Sequence, residues 1–298
     1  MTSPSAFLCY RRADEPFAAA LLGVALGERF GPAQVFLDTV SLRSRRRFER
    51  ELIERARTSR ILLVVIGCRW DVDRLADDGD WVRRELLEAH RSGATIVPVL
   101  VERRSMPEHL PHELAFLADH DPVRLARPHV PADVQRIADL VAGSAPAADR
   151  PVAGFDAETV RRAALAMVRH VLPGPQQSMR NDAMIAGVVA EQLAPDEWLR
   201  FAGAGRSGPR RPRGSAIVML TDDELRLVEV DEDLRGFHVE RRPLGPDTEL
   251  RRVDSHLLWR ETADVHVNVP GHPPLAVLGM FRAPATVLCA AARGPDHR

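Results

Sequence analysis

Short apolar runs alternate with longer amphipathic stretches through the first half of the chain. The apolar runs predict five β-strands, at residues 6–10, 35–38, 61–67, 95–101 and 122–126. Elsewhere apolar residues recur every three or four positions, the spacing of one helix face, over a stretch capped by Asp14 and over residues 48–57, 81–93 and 131–143. This alternation of strand and helix predicts a parallel sheet that is covered by helices on both faces.

The pattern changes after residue 142, where an Ala-, Pro- and Gly-rich stretch predicts a linker. Two amphipathic helices are predicted next, over residues 157–172 and 178–193. Polar and apolar residues then alternate with a period of two, which predicts antiparallel strands at 197–204, 215–221, 224–231, 236–243, 250–259, 263–269 and 275–281, and a helix from Ala283 to about Ala292. The predicted domains are 1–142, a linker at 143–156, a helical connector at 157–193 and a small β-barrel or sandwich at 194–298.

Composition narrows the classes of function that the chain supports. Apolar residues make up 45% of the chain and charged residues 28%, as in an ordinary soluble protein. The net charge of −1 provides no overall attraction to nucleic acid, so no nucleic-acid partner is expected. All 41 basic residues are arginine. The lack of lysine excludes a P-loop lysine, a Schiff-base lysine and a Ser–Lys dyad.

The cysteines and the hydropathy pattern predict a cytoplasmic protein. Cys9, Cys68 and Cys289 lie in or beside apolar runs, and their odd, low number favours small core residues in a reducing compartment over disulfides. No run of 18 apolar residues exists, and the N-terminus lacks the order of a signal peptide. No histidine has an i,i+4 histidine or a neighbouring cysteine, so no metal site is expected.

Residues that could bind a ligand or take part in catalysis are expected beyond the carboxyl ends of the predicted strands, where parallel α/β sheets bind their ligands. The first strand is followed by Tyr10, Arg11 and Arg12, and the second ends at Asp38 and an arginine-rich loop over 41–47. Cys68, Arg69 and Trp70 lie beyond the third strand, and Trp81 and Glu85 lie on the helix over 81–93. An aromatic ring that shares a helix face with a carboxylate, near two arginines, suits a nucleotide. On the helix pattern alone, the favoured interpretation of Glu85 is a solvated glutamate paired with Arg84 or Arg12.

Five ordered segments carry a family resemblance: FLCYRRADE, VFLDTVSL, ILLVVIGCRW, DWVRRELLEAH and TIVPVLV. In this order, over roughly residues 5–142, they resemble the TIR (Toll/interleukin-1 receptor) domain, particularly its NAD-cleaving type. The resemblance implies a flavodoxin-like α/β fold with a five-stranded parallel sheet. It also implies that Glu85, in a W-x-x-x-E motif, is catalytic, and that the substrate contacts are Tyr10, Arg11, Arg12, Asp38 and Trp81.

The activity implied by the resemblance is cleavage of the nicotinamide–ribose bond of NAD+, which gives nicotinamide and ADP-ribose or its cyclic form. NAD+ is the substrate, and no cofactor is implied. One carboxylate is sufficient because nicotinamide is a good leaving group and the transition state resembles an oxocarbenium ion. The expected role is a bacterial defence or signalling effector that becomes active on self-association. The alternative is a non-catalytic adaptor that acts through TIR–TIR contacts, with the C-terminal domain as a sensor.

One segment departs from the family pattern. TIR domains commonly carry Pro-Gly in the loop after the second strand, where this chain has Ser44-Arg45 within an arginine-rich stretch. Because that loop usually gates the cleft and builds head-to-tail assemblies, the change bears on both gating and assembly geometry. A solvated loop, a contact surface for an acidic partner and extra phosphate contacts are all compatible with so many arginines.

The C-terminal strands and helix resemble a bacterial PH-like domain over about residues 192–294. The loop after the first of these strands holds Arg206, Arg210, Arg211 and Arg213. PH domains bind anionic headgroups with basic residues in that loop, so an anionic ligand or lipid headgroup is one interpretation. A solvated hairpin loop is the other. A cyclic nucleotide or another small signal is a further candidate ligand for this domain.

Overall fold

A computed structural model of the chain describes residues 6–11, 14–37, 45–143, 157–171, 179–194, 197–207, 215–230, 237–257 and 260–292. The chain divides into two units, Met1–Ala163 and Ala164–Arg298. A five-stranded sheet belongs to the first unit and a seven-stranded sheet to the second, as far as the described ranges extend.

The first sheet is parallel throughout, as the alternating pattern predicts. Its strands are β1 (Ala6–Tyr10), β2 (Val35–Leu37), β3 (Ile61–Ile66), β4 (Thr95–Val101) and β5 (Val123–Leu125). Their spatial order is β2-β1-β3-β4-β5, a flavodoxin-like arrangement that confirms the predicted fold class. All residues of β1 and β3 are buried, which is the expected result when helices cover both faces of a parallel sheet.

Helices alternate with these strands. They are α1 (Pro16–Phe30), α2 (Arg45–Thr58), α3 (Trp81–Arg91) and α4 (Val130–Gly143). The end of α3 follows the prediction: Ser92 is the C-cap, and Gly93 after it has a φ of 76°, a conformation that glycine adopts at low cost. The pattern did not predict the short 3-10 helices at Pro32–Gln34, Asp73–Ala76, His112–Asp119 and Arg127–His129.

Asp14 does not cap α1, so that prediction is wrong. The helix begins at Pro16, which suits a first turn because the missing N–H of proline would have no partner there. The Asp14 carboxylate accepts hydrogen bonds from the backbone N–H groups of Gly67 and Arg69, at 2.7 and 2.8 Å. A side chain with the chemistry of a helix cap therefore joins the end of β1 to the loop after β3.

The cysteines are only partly the core residues that the sequence predicts. Cys9 and Cys289 are buried, whereas Cys68 is exposed, so the prediction is wrong for Cys68. The apolar run of β3 ends at Ile66, and Cys68 lies two residues further, in the loop. Its thiol donates a hydrogen bond to the backbone carbonyl of Glu102 at 3.6 Å.

Two helices follow the first sheet, α5 (Ala157–Val171) and α6 (Met179–Gln192). The division between the two units falls inside α5, between Ala163 and Ala164. In the first unit, the guanidinium of Arg162 pairs with the carboxylate of Glu28 on α1. Of the helices that the structure describes, none combines the length and the apolar character that a bilayer crossing requires.

The described part of the second unit has the seven antiparallel strands that the period-two pattern predicts. They are β6 (Phe201–Ser207), β7 (Ser215–Leu220), β8 (Glu224–Val230), β9 (Phe237–Pro243), β10 (Glu249–Leu257), β11 (Arg260–Asn268) and β12 (Leu275–Phe281). Their order is β10-β11-β12-β6-β7-β8-β9, and the sheet curls into a half-barrel. The predicted C-terminal helix is α7 (Arg282–Ala292), which packs against β10, β11 and β12.

A buried arginine joins α6 to the second sheet. The Arg226 guanidinium donates hydrogen bonds to the carboxylates of Glu197 and Glu224 and to the backbone carbonyl of Gln192. Burial lowers the pKa of Arg226, but the hydrogen bonds to the two glutamates outweigh this effect, and the pKa is raised above its ordinary value. The paired carboxylates thus offset the desolvation of the guanidinium and keep it charged.

Candidate active site

Glu85 lies on the buried face of α3, in the second turn of the helix. Val82, Leu86 and Ala89 recur on this face with the helix period and are all buried. Glu85 falls between them in the pattern and is only 2% exposed. The interpretation of Glu85 as a solvated glutamate is therefore wrong. Burial of a carboxylate costs stability unless it is compensated, and such groups are concentrated at functional sites.

Arg84, the neighbour of Glu85 in the chain, is exposed and binds the loop before the helix. Its Nε donates a hydrogen bond to the backbone carbonyl of Asp78 at 2.8 Å. Its guanidinium carbon lies 5.2 Å from the ring centre of Trp81, the half-buried first residue of α3. The positive charge of Arg84 is thus placed near the indole ring at the start of the helix.

Asp80 connects the N-terminus of α3 to the end of β1. Its carboxylate caps the helix by accepting a hydrogen bond from the backbone N–H of Arg83 at 3.0 Å. The same carboxylate accepts hydrogen bonds from both terminal nitrogens of Arg11, at 2.8 and 3.1 Å. Arg11 is 8% exposed and Asp80 is 5% exposed, so this bidentate pair is shielded from water. The FLCYRRADE and DWVRRELLEAH segments therefore meet through an ion pair.

Trp70 packs near Arg11 and brings a second N–H donor to this edge of the sheet. The guanidinium carbon of Arg11 lies 5.7 Å from the ring centre of Trp70, which is 4% exposed. Among the described residues, neither Nε of Arg11 nor Nε1 of Trp70 has a hydrogen-bond partner. A buried donor without an acceptor costs about 1–3 kcal/mol. An unpaired buried donor therefore needs an explanation, and one explanation is a ligand that supplies the acceptor.

Gly67 holds the loop after β3 close to the end of β1. Its N–H binds the Asp14 carboxylate, and its carbonyl accepts a hydrogen bond from Nη1 of Arg103 at 3.1 Å. A Cβ atom on Gly67 would lie 2.3 Å from Cγ of Glu15, which is buried. The position therefore has room only for glycine, and two buried carboxylates, from Asp14 and Glu15, pack around it.

The structure describes four of the six predicted site residues of the first domain. Tyr10 ends β1 and is buried, and Arg11 follows it into the ion pair with Asp80. Trp81 and Glu85 lie on α3, as predicted. Arg12 and Asp38 lie outside the described residues.

In the second domain the structure describes one of the four predicted anion-binding arginines. Arg206 lies on β6 and not in the loop after it, so its predicted place is wrong: the strand extends to Ser207. Arg206 is exposed, and its Nη2 lies 3.0 Å from the position that a Cβ atom would take on Gly279. Glycine at position 279 thus leaves space for this guanidinium. Arg210, Arg211 and Arg213 lie outside the described residues.

Sequence reasoning missed Asp80, and it placed Trp70 at the ligand-binding edge without giving it a role in the site. Asp80 had a local signal, because aspartate directly before an amphipathic helix is a common N-cap. Its pairing with Arg11 had none, since the two residues are 69 positions apart. Trp70 follows a strand by four residues, at the edge where ligands bind, and this position was the signal for it.

Residues 6–140 match the family model described as TIR domain. This part of the chain is a TIR domain, which confirms that the five ordered segments belong to such a domain. A search of curated proteins finds no match to the chain. In the ranges that the structure describes, no group of three or more histidine, cysteine, aspartate or glutamate side chains is placed to hold a metal ion.

Proposed function

We propose that the TIR domain hydrolyses the bond between nicotinamide and ribose in NAD+, with Glu85 as the catalytic carboxylate. The observation that carries this proposal is the burial of Glu85 on an otherwise apolar helix face. Burial sets Glu85 apart from the solvated glutamates of a helix surface, and buried ionisable groups are concentrated at functional sites. The position of Glu85 in the W-x-x-x-E segment supports the proposal, because the resemblance to the NAD-cleaving type implies that this glutamate is catalytic.

The reaction needs little more than stabilisation of positive charge. When the bond between ribose C1′ and the pyridinium nitrogen breaks, its electrons neutralise the pyridinium, so nicotinamide leaves without being protonated. Positive charge develops on C1′ and the ring oxygen, water oxygen then bonds to C1′, and one water proton is released. A carboxylate in low-dielectric surroundings attracts this charge more strongly than one in bulk water. It also orients the ribose hydroxyls.

The two buried donors that have no partner among the described residues support a ligand that carries acceptor oxygens. Nε of Arg11 and Nε1 of Trp70 lie at the edge of the sheet where parallel α/β domains bind ligands. The hydroxyl and phosphate oxygens of NAD+ are suitable acceptors. Arg11 commits its two terminal nitrogens to Asp80, so Nε is the donor that we assign to the substrate. Tyr10, Trp81, Arg12 and Asp38 complete the proposed set of substrate contacts.

Replacing Trp70 with phenylalanine is expected to raise KM for NAD+ about 2- to 10-fold, with kcat within about twofold of wild type. The aromatic ring stays in place and one hydrogen bond is lost, which is worth about 0.5–1.5 kcal/mol. Steady-state kinetics of nicotinamide release measure both constants. W198F, which changes a buried tryptophan of the second unit, is the control. An unchanged KM in W70F would remove Trp70 from the substrate site.

Activity is proposed to depend on self-association, which is the general mode of interaction of TIR domains. In the proposed role, a bacterial defence or signalling effector becomes active when its TIR domains cluster. The wild-type protein is therefore expected to release nicotinamide from NAD+ at high protein concentration or under crowding, and less in dilute solution. Chromatography of the reaction mixture measures nicotinamide directly. No release under any clustering condition, together with tight binding to another TIR domain, would establish the adaptor function instead.

The C-terminal half-barrel is proposed to sense the signal that promotes clustering. Exposed Arg206 supports an anionic ligand, because its guanidinium lies against the sheet surface beside Gly279. Binding of a lipid headgroup or a cyclic nucleotide at the loop that contains Arg210, Arg211 and Arg213 stays a prediction.

A further inference from the structure

We propose that Asp80 is a positioning residue, which fixes the catalytic Glu85 through the ion pair with Arg11. This inference rests on the proposed NAD+ cleavage and adds to it a residue that makes no substrate contact. It assigns to the Arg11 terminal nitrogens a role in holding α3 rather than in binding phosphate.

The contacts of Asp80 place it between two rigid elements. Oδ1 accepts hydrogen bonds from the backbone N–H of Arg83 and from Nη2 of Arg11, and Oδ2 accepts one from Nη1 of Arg11. The backbone N–H of Asp80 donates to the carbonyl of Asp77 at 2.9 Å, and its own carbonyl accepts from Arg84 at 3.2 Å. Asp80 thus joins the first turn of α3 to the residue after β1 through both its backbone and its side chain.

The ion pair between Asp80 and Arg11 is shielded from water, and Arg11 is the cation that holds the Asp80 carboxylate most strongly. Both side chains are more than nine-tenths buried, and Trp70 packs near the guanidinium. Another cation, Arg74, has its Nε 3.7 Å from Oδ2 of Asp80, but its side chain is 66% exposed. Water therefore screens Arg74 more than Arg11, and the strong, bidentate contact is the one to the end of β1.

The position of Glu85 follows from this anchor. Glu85 lies five residues after Asp80, about 7.5 Å along the helix axis at about 1.5 Å per residue. A shift of the first turn of α3 relative to β1 moves the Glu85 carboxylate by a similar amount. A displacement of about 1 Å at a reacting group can reduce a rate about 100-fold. Loss of the anchor is therefore expected to lower kcat by a larger factor than it raises KM, because Arg11 is the one proposed substrate contact that the lost pair also holds.

Three substitutions of Asp80 separate positioning from helix capping. Serine and asparagine both cap helices well, whereas alanine does not. D80S keeps the cap and loses the pair with Arg11, D80N keeps the cap and one neutral acceptor for Arg11, and D80A loses both. The matched control is D139S, which removes the Asp139 partner of Arg29, another aspartate–arginine pair of the TIR domain, at 2.6 Å.

The expected result is that D80S melts above D80A but has kcat reduced about 10-fold or more, with KM raised by a smaller factor. D80N is expected to lie between D80S and wild type in kcat, and D139S to match wild type. Wild-type kcat in D80S, a rise in KM instead of a fall in kcat, or an equal loss in D139S would overturn the inference alone. A wild-type protein that cleaves no NAD+ when clustered would overturn the proposed function and this inference with it.

Discussion

Replacing Glu85 with glutamine is expected to reduce NAD+ cleavage at least about 100-fold while the TIR domain stays folded. Glutamine has nearly the volume of glutamate, so the apolar face of α3 with Val82, Leu86 and Ala89 stays filled. The change removes the negative charge that stabilises the developing positive charge on ribose. Loss of one group that acts in the transition state commonly costs about 100- to 1,000-fold in kcat. Nicotinamide release from clustered protein measures the effect.

A control on the same helix makes the result specific to position 85. Glu88 lies one turn further along α3, is half-buried and has its Oε1 3.7 Å from Nε of the exposed Arg57. E88Q removes the same charge from the same helix and is expected to retain activity within about twofold, because exposed ion pairs contribute little. Melting curves of both variants report on the fold. An E85Q protein that cleaves NAD+ as fast as wild type would contradict the assignment of Glu85.

The order of strands and helices was predictable because each element has one dominant hydrophobic pattern. Strands β1 and β3 are continuous apolar runs, and only a strand buried on both faces tolerates them. The 3-10 helix at His112–Asp119 was not predictable in the same way, since short segments of this kind depend on packing more than on a repeating pattern. Asp14 was assigned wrongly because a cap and a strand-to-loop contact need the same short acceptor side chain.

The burial of Glu85 is consistent with the helix spacing of its neighbours. Positions 82, 86 and 89 define the buried face of α3, and position 85 falls on it. An acidic residue on such an apolar stripe is a sequence signal for a buried carboxylate. The ion pair of Arg11 with Asp80 has no comparable signal, because it depends on which strand neighbours β1 in the sheet.

Stability and function are in conflict at this edge of the sheet. Asp14, Glu15, Asp80 and Glu85 are all buried there or on the adjoining helix, where carboxylates are costly. For Asp14 and Asp80 the compensating contacts cross between elements: Asp14 accepts hydrogen bonds from two backbone N–H groups, and Asp80 accepts them from Arg11 and from the helix N-terminus. The contacts that compensate for burial are therefore the same contacts that hold the site in shape.

Replacing Gly67 with alanine is expected to destabilise the protein by about 3 kcal/mol, from overpacking together with disrupted buried hydrogen bonds. The new Cβ would lie 2.3 Å from Cγ and 2.5 Å from Oε1 of Glu15, and 2.6 Å from Oδ1 of Asp14. Both side chains are constrained against moving away. Glu15 is buried, and both Asp14 oxygens hold the loop through Gly67 and Arg69. Urea unfolding of the full chain measures the loss.

Gly27 provides the matched control for Gly67 in the same domain. It lies inside α1, and a Cβ atom there would meet only the Cα of Pro32, at 3.8 Å, an ordinary contact. G27A is expected to be neutral or to stabilise by up to about 1 kcal/mol, because alanine loses less backbone entropy in a helix than glycine does. A lower free energy of unfolding in G67A, without such a loss in G27A, would show that position 67 has no space for a side chain. If G67A unfolded at the same urea concentration as wild type, Asp14 and Glu15 would have room to move. The close packing of these two side chains around Gly67 would then not be what holds the site in shape.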